Sequence, residues 1–317
     1  MGVDVKTMKG ALIDSDINRR KCPSCAGEGA KDPEVTSSPR AEDLPPETLR
    51  SYWSGFFKEK VFFSYYRCTG CKLLFCEYYL APSKLGELYR EMSDNTAGIP
   101  VACLRKTQEG YFRVLRDHSS LTGDFMELGP DIGLFTELCV KGGAFRHFWL
   151  FEPNQAVHPQ LREVVKGKAH TLLAEMMNYA EIPDQSLSLV AMVHVLDHLL
   201  NPQEDLENIR QKMKPGGILM AVTHDESSWL AKYTKHRWPP YCLQHPQLFN
   251  PDSISRLLHS AGYEVREVRR TYNYFPLSYL ARHGLWALGI KANFANRPSS
   301  FHLPLKLGNI ATVARSR

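Results

Sequence analysis

Apolar and polar positions along the chain change rhythm near residue 100. Before that point apolar residues come in short, irregular groups, divided by polar and proline-rich stretches such as residues 30–47. Residues 1–21 are polar and aperiodic and read as a loose tail. From about residue 101 the pattern becomes regular. CLRKTQEGYFRVLRD (103–117) predicts a helix, and the short apolar run DFMELG (124–129) predicts a strand followed by a helix over about 134–140. RHFWLFEP (146–153), KAHTLL (168–173) and SLSLVAMVHVL (186–196) predict three further strands, the first of them followed by a helix running to about Val165. Residues 201–213 read as a helix, with Pro202 in its first turn, where a missing N–H costs little. KPGGILMAVTH (214–224) gives a glycine turn and a fifth strand. PDSISRLLHSAGYEVREVRR (251–270) gives a capped helix and a strand, and KLGNIATVAR (306–315) is strand-like. Strands alternating with helices predict an α/β fold: a mostly parallel sheet with helices on both faces. Continuous apolar runs such as ILMAV agree, because parallel strands are buried on both sides.

Two segments break this pattern. Residues 225–250 are aromatic, histidine-rich and interrupted by prolines, which suits a lid or substrate wall more than a core element. The stretch 274–290 is the most apolar, but Arg282 and His283 interrupt it and it falls short of the ~20 residues that span a bilayer. It reads as a helix packed on the core, with contact to a membrane surface or lipid-linked substrate as the minor alternative.

Composition narrows the function classes. A net charge of +5, with no block of like charges, gives no support to nucleic-acid binding. The N-terminus lacks an apolar export signal, so a cytoplasmic, reducing compartment is expected for the eight cysteines. There, CPSC (22–25) and CTGC (68–71) point to metal rather than to disulfides. Each turn brings two thiolates together, and Cys22, Cys25, Cys68 and Cys71 make a tetrahedral structural zinc set, with Cys76 able to replace one ligand. Four thiolates leave no open position, so such an ion does no chemistry.

The turn MELGPDIGLF (126–135) joins the first strand to its helix, an arrangement that aims backbone N–H groups at a ligand. Glu152 ends the second strand, at about the spacing where a carboxylate accepts hydrogen bonds from a ribose. Asp131 occupies a position at which a nucleotide loop would carry glycine, and Glu127 adds a second acid. A pyrophosphate would be repelled there, whereas a cationic cofactor such as S-adenosylmethionine would be favoured. Asp131 equally suits a left-handed turn.

These residues resemble a known family. From about 101 to the end the chain is similar to class I S-adenosylmethionine-dependent methyltransferases, whose fold is a seven-stranded Rossmann-like sheet. MELGPDIGLF resembles their first motif, with Asp131 in place of the middle glycine; LFEPN resembles the second; MKPGGILMAV and LGNIATVAR resemble later strands. The resemblance implies that Glu127, Gly129, Asp131, Gly133, Glu152, Pro153 and His194 hold the cofactor, with Met176 and Met177 against its adenine. Ser188 stands where many members have aspartate. A small zinc-ribbon-like module at 1–100, ahead of a catalytic domain at 101–317 with a lid at 225–250, resembles a bacterial group that includes sugar C-methyltransferases.

Candidate bases come next. His194 and His198 follow the fourth strand at its carboxyl end, where ligands gather in such sheets, and His245 lies in the aromatic segment. LQHPQLFN resembles the stretch that carries a proposed base in the sugar C-methyltransferases, matching His245, although Gln244 replaces its glutamate. VLDH matches a second active-site histidine at His198. Tyr233, His236, Arg237, Trp238 and Tyr241 are candidates for an acceptor pocket. The expected partner is a small-molecule acceptor, a sugar or glycosylated metabolite, methylated on oxygen or carbon. The alternatives are an RNA methyltransferase with a zinc module and a non-catalytic relative that only binds.

Overall fold

The computed structural model describes residues 16–53, 60–90, 99–175, 178–278, 281 and 302–317. The regular region folds into a seven-stranded sheet. Its strands are β1 (Thr122–Leu128), β2 (Ala144–Phe151), β3 (His170–Leu173), β4 (Leu187–Val193), β5 (Met213–His224), β6 (Tyr263–Arg270) and β7 (Asn309–Ser316). They lie in the order β6-β7-β5-β4-β1-β2-β3. All neighbours are parallel except β7, which runs antiparallel to both β5 and β6. The helices that flank it are α1 (Val101–Arg116), α2 (Leu134–Gly142), α3 (His158–Val164), α4 (Pro202–Lys212) and α5 (Pro251–Ser260).

The two-residue alternation of the strands assigns the layers. Met126 and Leu128 of β1, with Val190, Met192, Leu219 and Ala221, face one side and pack on Leu206 and Ile209 of α4 and Ile254, Leu257 and Leu258 of α5. Phe125, Phe148, Leu150, Leu189 and Met220 face the other side and pack on Tyr111 and Leu115 of α1 and Phe135 and Cys139 of α2. From β1 the chain runs outward through β2 and β3, then crosses back to β4 on the other side of β1. Strand order therefore reverses between β1 and β4, and a crevice opens outside their carboxyl ends. The predicted cap of α5 is present: the Asn250 side chain accepts from the backbone N–H of Asp252 and Ser253, and Ser253 Oγ accepts from Asn250 N.

The segment 225–250 differs from the expected lid. Trp238, Tyr241, Leu243, Leu248 and Phe249 are buried. Gln247–Leu248 forms a strand that pairs antiparallel with Leu74–Phe75, completing a three-stranded sheet with Tyr65–Arg67. Much of the segment is thus core, shared with the N-terminal region through Trp53, Phe62, Phe63, Tyr65, Leu74 and Tyr79. Its aromatics are there to be buried; only its first part, with Trp229 and Tyr233, is exposed.

The N-terminal region is joined equally closely to the main sheet. Cys22, Cys68, Leu73 and Phe75 belong to the same buried cluster as the α4–α5 layer. At the other irregular stretch, Asn273–Pro276 is a strand paired with His302–Leu305, not the start of a helix. The rest of the helix expected over 274–290 lies almost entirely outside the described residues. No helix among the described residues is long and apolar enough to cross a membrane.

Candidate active site

The loop after β1 is built by three residues with positive φ. Gly129 (φ 63°) approaches Val195 so closely that a Cβ would sit 2.7 Å from its Cγ2. Gly133 (φ 79°) caps α2, and a Cβ there would meet Leu161 of α3 at 2.9 Å. Between them Asp131 takes φ 50°, the left-handed region that aspartate enters at lower cost than most residues. Its backbone N–H donates to Glu152 Oε2 at 2.9 Å, while Asn154 N–H donates to Oε1 at 2.8 Å. Two backbone donors thus fix the Glu152 carboxylate at the end of β2, and each oxygen keeps a lone pair for a further donor.

This loop forms one wall of a cavity of about 770 Å³ outside the carboxyl ends of β1 and β4. Ligands of cofactor size occupy cavities of roughly 300–1,000 Å³. Of the residues expected to hold a cofactor, Glu127, Gly129, Asp131, Glu152, Pro153 and His194 line it. Gly133 does not; its role is the packing of α2 on α3. Met176 and Met177 lie outside the described residues. Pro82, Leu85, Gly86 and Tyr89 of the helix Pro82–Arg90 form an opposite wall.

Charge gives the cavity its character. Glu127, Asp131, Glu152 and Asp205 all line it, and no lysine or arginine does among the described residues. Burial, with Glu152 and Asp131 nearby, pushes Glu127 up to about 8, although Thr136 Oγ1 donates to it at 2.6 Å. Burial likewise raises Glu152, and Asp205 reaches about 7. A phosphate would find no lysine or arginine here among the described residues. A cation would find four carboxyls.

At the far end of the cavity four imidazoles adjoin one another. Ring centroids are 4.7 Å apart for His194 and His224, 4.8 Å for His224 and His245, and 4.6 Å for His198 and His245. His198 lines the cavity, and its Nδ1 is 2.8 Å from the Tyr89 hydroxyl. Burial holds His198 and His224 well below the ordinary histidine range and brings His194 down to about 3, so all three rings are neutral near pH 7. His245 is different. Burial opposes its charge, but Cys242, 3.4 Å from Nδ1, outweighs this and lifts it to about 9, while Cys242 is lowered in turn. His245 also reaches the carbonyl of Pro240 at 2.7 Å and lies behind His198 rather than on the cavity wall. None of Tyr233, His236, Arg237, Trp238 or Tyr241 lines the cavity; Tyr233 is 80% exposed.

Sequence reasoning missed Tyr89, Asp197 and His224. Asp197, wholly buried, accepts from both the backbone N–H and Nδ1 of His224 through Oδ2, at 3.0 and 2.8 Å. It stands inside the quoted VLDH. Nothing local marks Tyr89, whose partner lies on the other side of the fold.

The four cysteines of the two Cys-x-x-Cys turns converge. Their sulfurs all lie within 4.8 Å of one another, with Cys22–Cys71 at 3.4 Å and Cys25–Cys68 at 3.5 Å. Four thiolates on one zinc at ~2.3 Å would stand about 3.8 Å apart, so the set fits. Cys76 is buried elsewhere, against the carbonyls of Phe63 and His245, and does not join them.

A doubly wound sheet, a glycine-spaced turn and an acidic crevice at the reversal of strand order define an enzyme fold that binds a nucleoside-containing cation. Residues 103–268 match the methyltransferase domain family, more than half of the chain, and the protein belongs to that family. It is an S-adenosylmethionine-dependent methyltransferase. The chain is similar to an S-adenosylmethionine-dependent methyltransferase from Mesorhizobium loti (14% identity, 65% of this chain and 97% of that one, TM-score 0.44). It is also similar to one from Aquifex aeolicus (13%, 75% and 99%, TM-score 0.44) and one from Methanosarcina mazei (12%, 64% and 96%, TM-score 0.43). No curated protein matches the sequence.

Proposed function

We propose that the acidic cavity holds S-adenosylmethionine and that the enzyme methylates an oxygen or carbon of a small hydroxylated acceptor, such as a sugar or glycosylated metabolite. The observation that carries this reading is the cavity's four carboxyls, with no lysine or arginine beside them among the described residues. Glu152, held by two backbone N–H groups, is the acceptor for the ribose hydroxyls. Glu127 and Asp131 face the cationic part of the cofactor. When bound, the cofactor supplies an electrophilic methyl group on a sulfonium.

The chain's part is to position the acceptor and remove its proton. His198 is the base on this reading, because it is neutral, lines the cavity and is oriented through Nδ1 by Tyr89. His245, charged and paired with Cys242, adjoins His198 and restrains its protonation rather than abstracting a proton itself. His194 lines the cavity beside it. The four thiolates hold a structural zinc, which fixes a module over 1–100 against the catalytic domain in a reducing, cytoplasmic setting. The enclosed wall formed by the helix Pro82–Arg90 favours a small molecule over a nucleic acid.

Calorimetry with S-adenosylmethionine tests the cofactor assignment. Glu152→Ala is expected to weaken binding at least about tenfold, since hydrogen bonds to a charged group contribute roughly 1.5–3 kcal/mol. A metabolite screen with labelled cofactor tests the acceptor. His198→Ala should abolish label transfer while leaving cofactor affinity within about threefold. Absence of binding at millimolar cofactor would overturn the assignment of the cavity.

A further inference from the structure

Beyond the amino ends of β4 and β5, at the opposite end of the sheet from the cofactor cavity, lies another cavity of about 570 Å³. Ser188 stands near the start of β4 and His194 just after its end, about 20 Å apart at ~3.3 Å per residue. The two cavities differ in character. Lys214, Arg266, Arg315 and His118 line this one, and Asp117 is the single carboxylate on its wall among the described residues. We propose that it is an anion site, separate from methyl transfer, that takes the phosphate group of a small phosphorylated molecule.

A local irregularity of the sheet builds it. Leu187 pairs with Met213 and Leu189 with Ile218, so residues 214–217 bulge out of β5 opposite Ser188. On the other side of the bulge, Arg315 of β7 pairs with Ile218. Glycine lets these parts close up. A Cβ on Gly216 (φ 80°) would stand 2.8 Å from the Arg315 guanidinium, so that group lies against the bulge. A Cβ on Gly123 would stand 2.1 Å from Ser188 Oγ and 3.8 Å from Lys214 Nζ, which places hydroxyl and ammonium around one spot.

The charges here are unevenly matched. Asp117 pairs with Arg269 at 3.4 Å, Arg266 with Glu264 at 2.9 Å and His118 with Glu267 at 2.7 Å. The side chains of Ser188, Lys214 and Arg315 have no hydrogen bond or ion pair among the described residues. An aspartate at position 188 would hold Lys214 and repel an anion, whereas serine does neither. Two cations without counter-ions, one of them a forked guanidinium, beside a free hydroxyl make a donor set for phosphate oxygens. The volume leaves room for a small organic group beyond the phosphate.

Calorimetry of the full chain with glycerol 3-phosphate, at constant ionic strength and with glycerol as control, tests the site. The expected result is binding of the phosphate ester alone, of millimolar affinity or tighter, with or without S-adenosylmethionine. Lys214→Gln and Arg315→Gln should each weaken it about tenfold. Ser188→Asp should abolish it, because the new carboxylate occupies Lys214. Should Ser188→Asp fail to fold, the two glutamine variants make the same test at positions that solvent reaches. Absence of binding overturns the proposal, as does an affinity that the variants retain. Steeply salt-dependent binding of an RNA oligonucleotide, lost in the same variants, would also overturn it and give the site to nucleic acid. None of these results touches the cofactor reading, which S-adenosylmethionine calorimetry decides separately.

Discussion

Asp131 sits in a left-handed turn and on the wall of an acidic cavity, and substitution separates the two roles. Asparagine also tolerates that conformation, so Asp131→Asn removes charge but keeps the turn. Its expected effect is an unchanged melting temperature and a loss of about 1 kcal/mol, roughly fivefold, in S-adenosylmethionine affinity by calorimetry. Asp131→Val, strained by a β-branched side chain, should lower the melting temperature instead. Glu127 makes a pH prediction. Its carboxyl, raised by burial to about 8 from an ordinary 4.5, binds a proton in the folded chain that the unfolded chain has released. Unliganded stability therefore falls as pH rises from about 4.5 through 8, and Glu127→Gln should flatten that slope. A bound cation reverses the preference and expels the proton. Affinity for S-adenosylmethionine should then rise with pH up to about 8, with release of about one proton seen in buffers of different ionisation enthalpy. Binding without proton release between pH 6 and 7 would show that Glu127 stays neutral beside the ligand.

Between residue and molecule, Gln247 shows how an element places chemistry. It sits in the short strand Gln247–Leu248, is fully buried, and its Nε2 faces the carbonyls of Leu196, Asp197 and Leu199 at 3.1, 3.3 and 2.7 Å. It thereby ties the turn that carries Asp197 and His198 to the small sheet. Gln247→Leu strands these carbonyls, an expected loss of about 1–3 kcal/mol by denaturant unfolding. Turnover should fall while cofactor affinity stays within about threefold; equal losses in both would count against a positioning role. The main sheet was legible in the sequence, because seven apolar runs separated by helical periods allow few arrangements. The cysteine set was equally legible, since Cys-x-x-Cys fixes two ligands locally. Residues 225–250 were not. An aromatic, proline-broken stretch has the same composition whether it covers a site or fills a core, and its pairing with Leu74–Phe75 is invisible in any short window. The Tyr89–His198 contact was hidden for the same reason.

At the scale of the whole molecule, the N-terminal region shares one buried cluster with the catalytic sheet and a second with residues of the 225–250 segment. The four-cysteine cluster lies at the edge of one of them. With zinc bound there as proposed, a chelator, or Cys68→Ser, is therefore expected to lower the melting temperature of the entire chain by several degrees in one transition. Two separate calorimetric transitions would instead mark an independent module. Removal of the region up to residue 100 should also open the cavity, because Leu85 and Tyr89 wall it, and weaken cofactor binding.

The pairing of Leu74–Phe75 with Gln247–Leu248 has a consequence for how the protein is made. Trp53, Phe62, Phe63, Tyr65 and Tyr79 emerge early from the ribosome, yet Trp238, Tyr241 and Leu248, which pack on them, arrive some 160 or more residues later. Throughout that interval a cluster of tyrosine and phenylalanine rings and an open strand edge wait without their partners. Nascent chains of this kind are targets for chaperone holding and for mispairing between neighbouring copies. The turn that carries His198 is held by Gln247 only once that distant strand has been added.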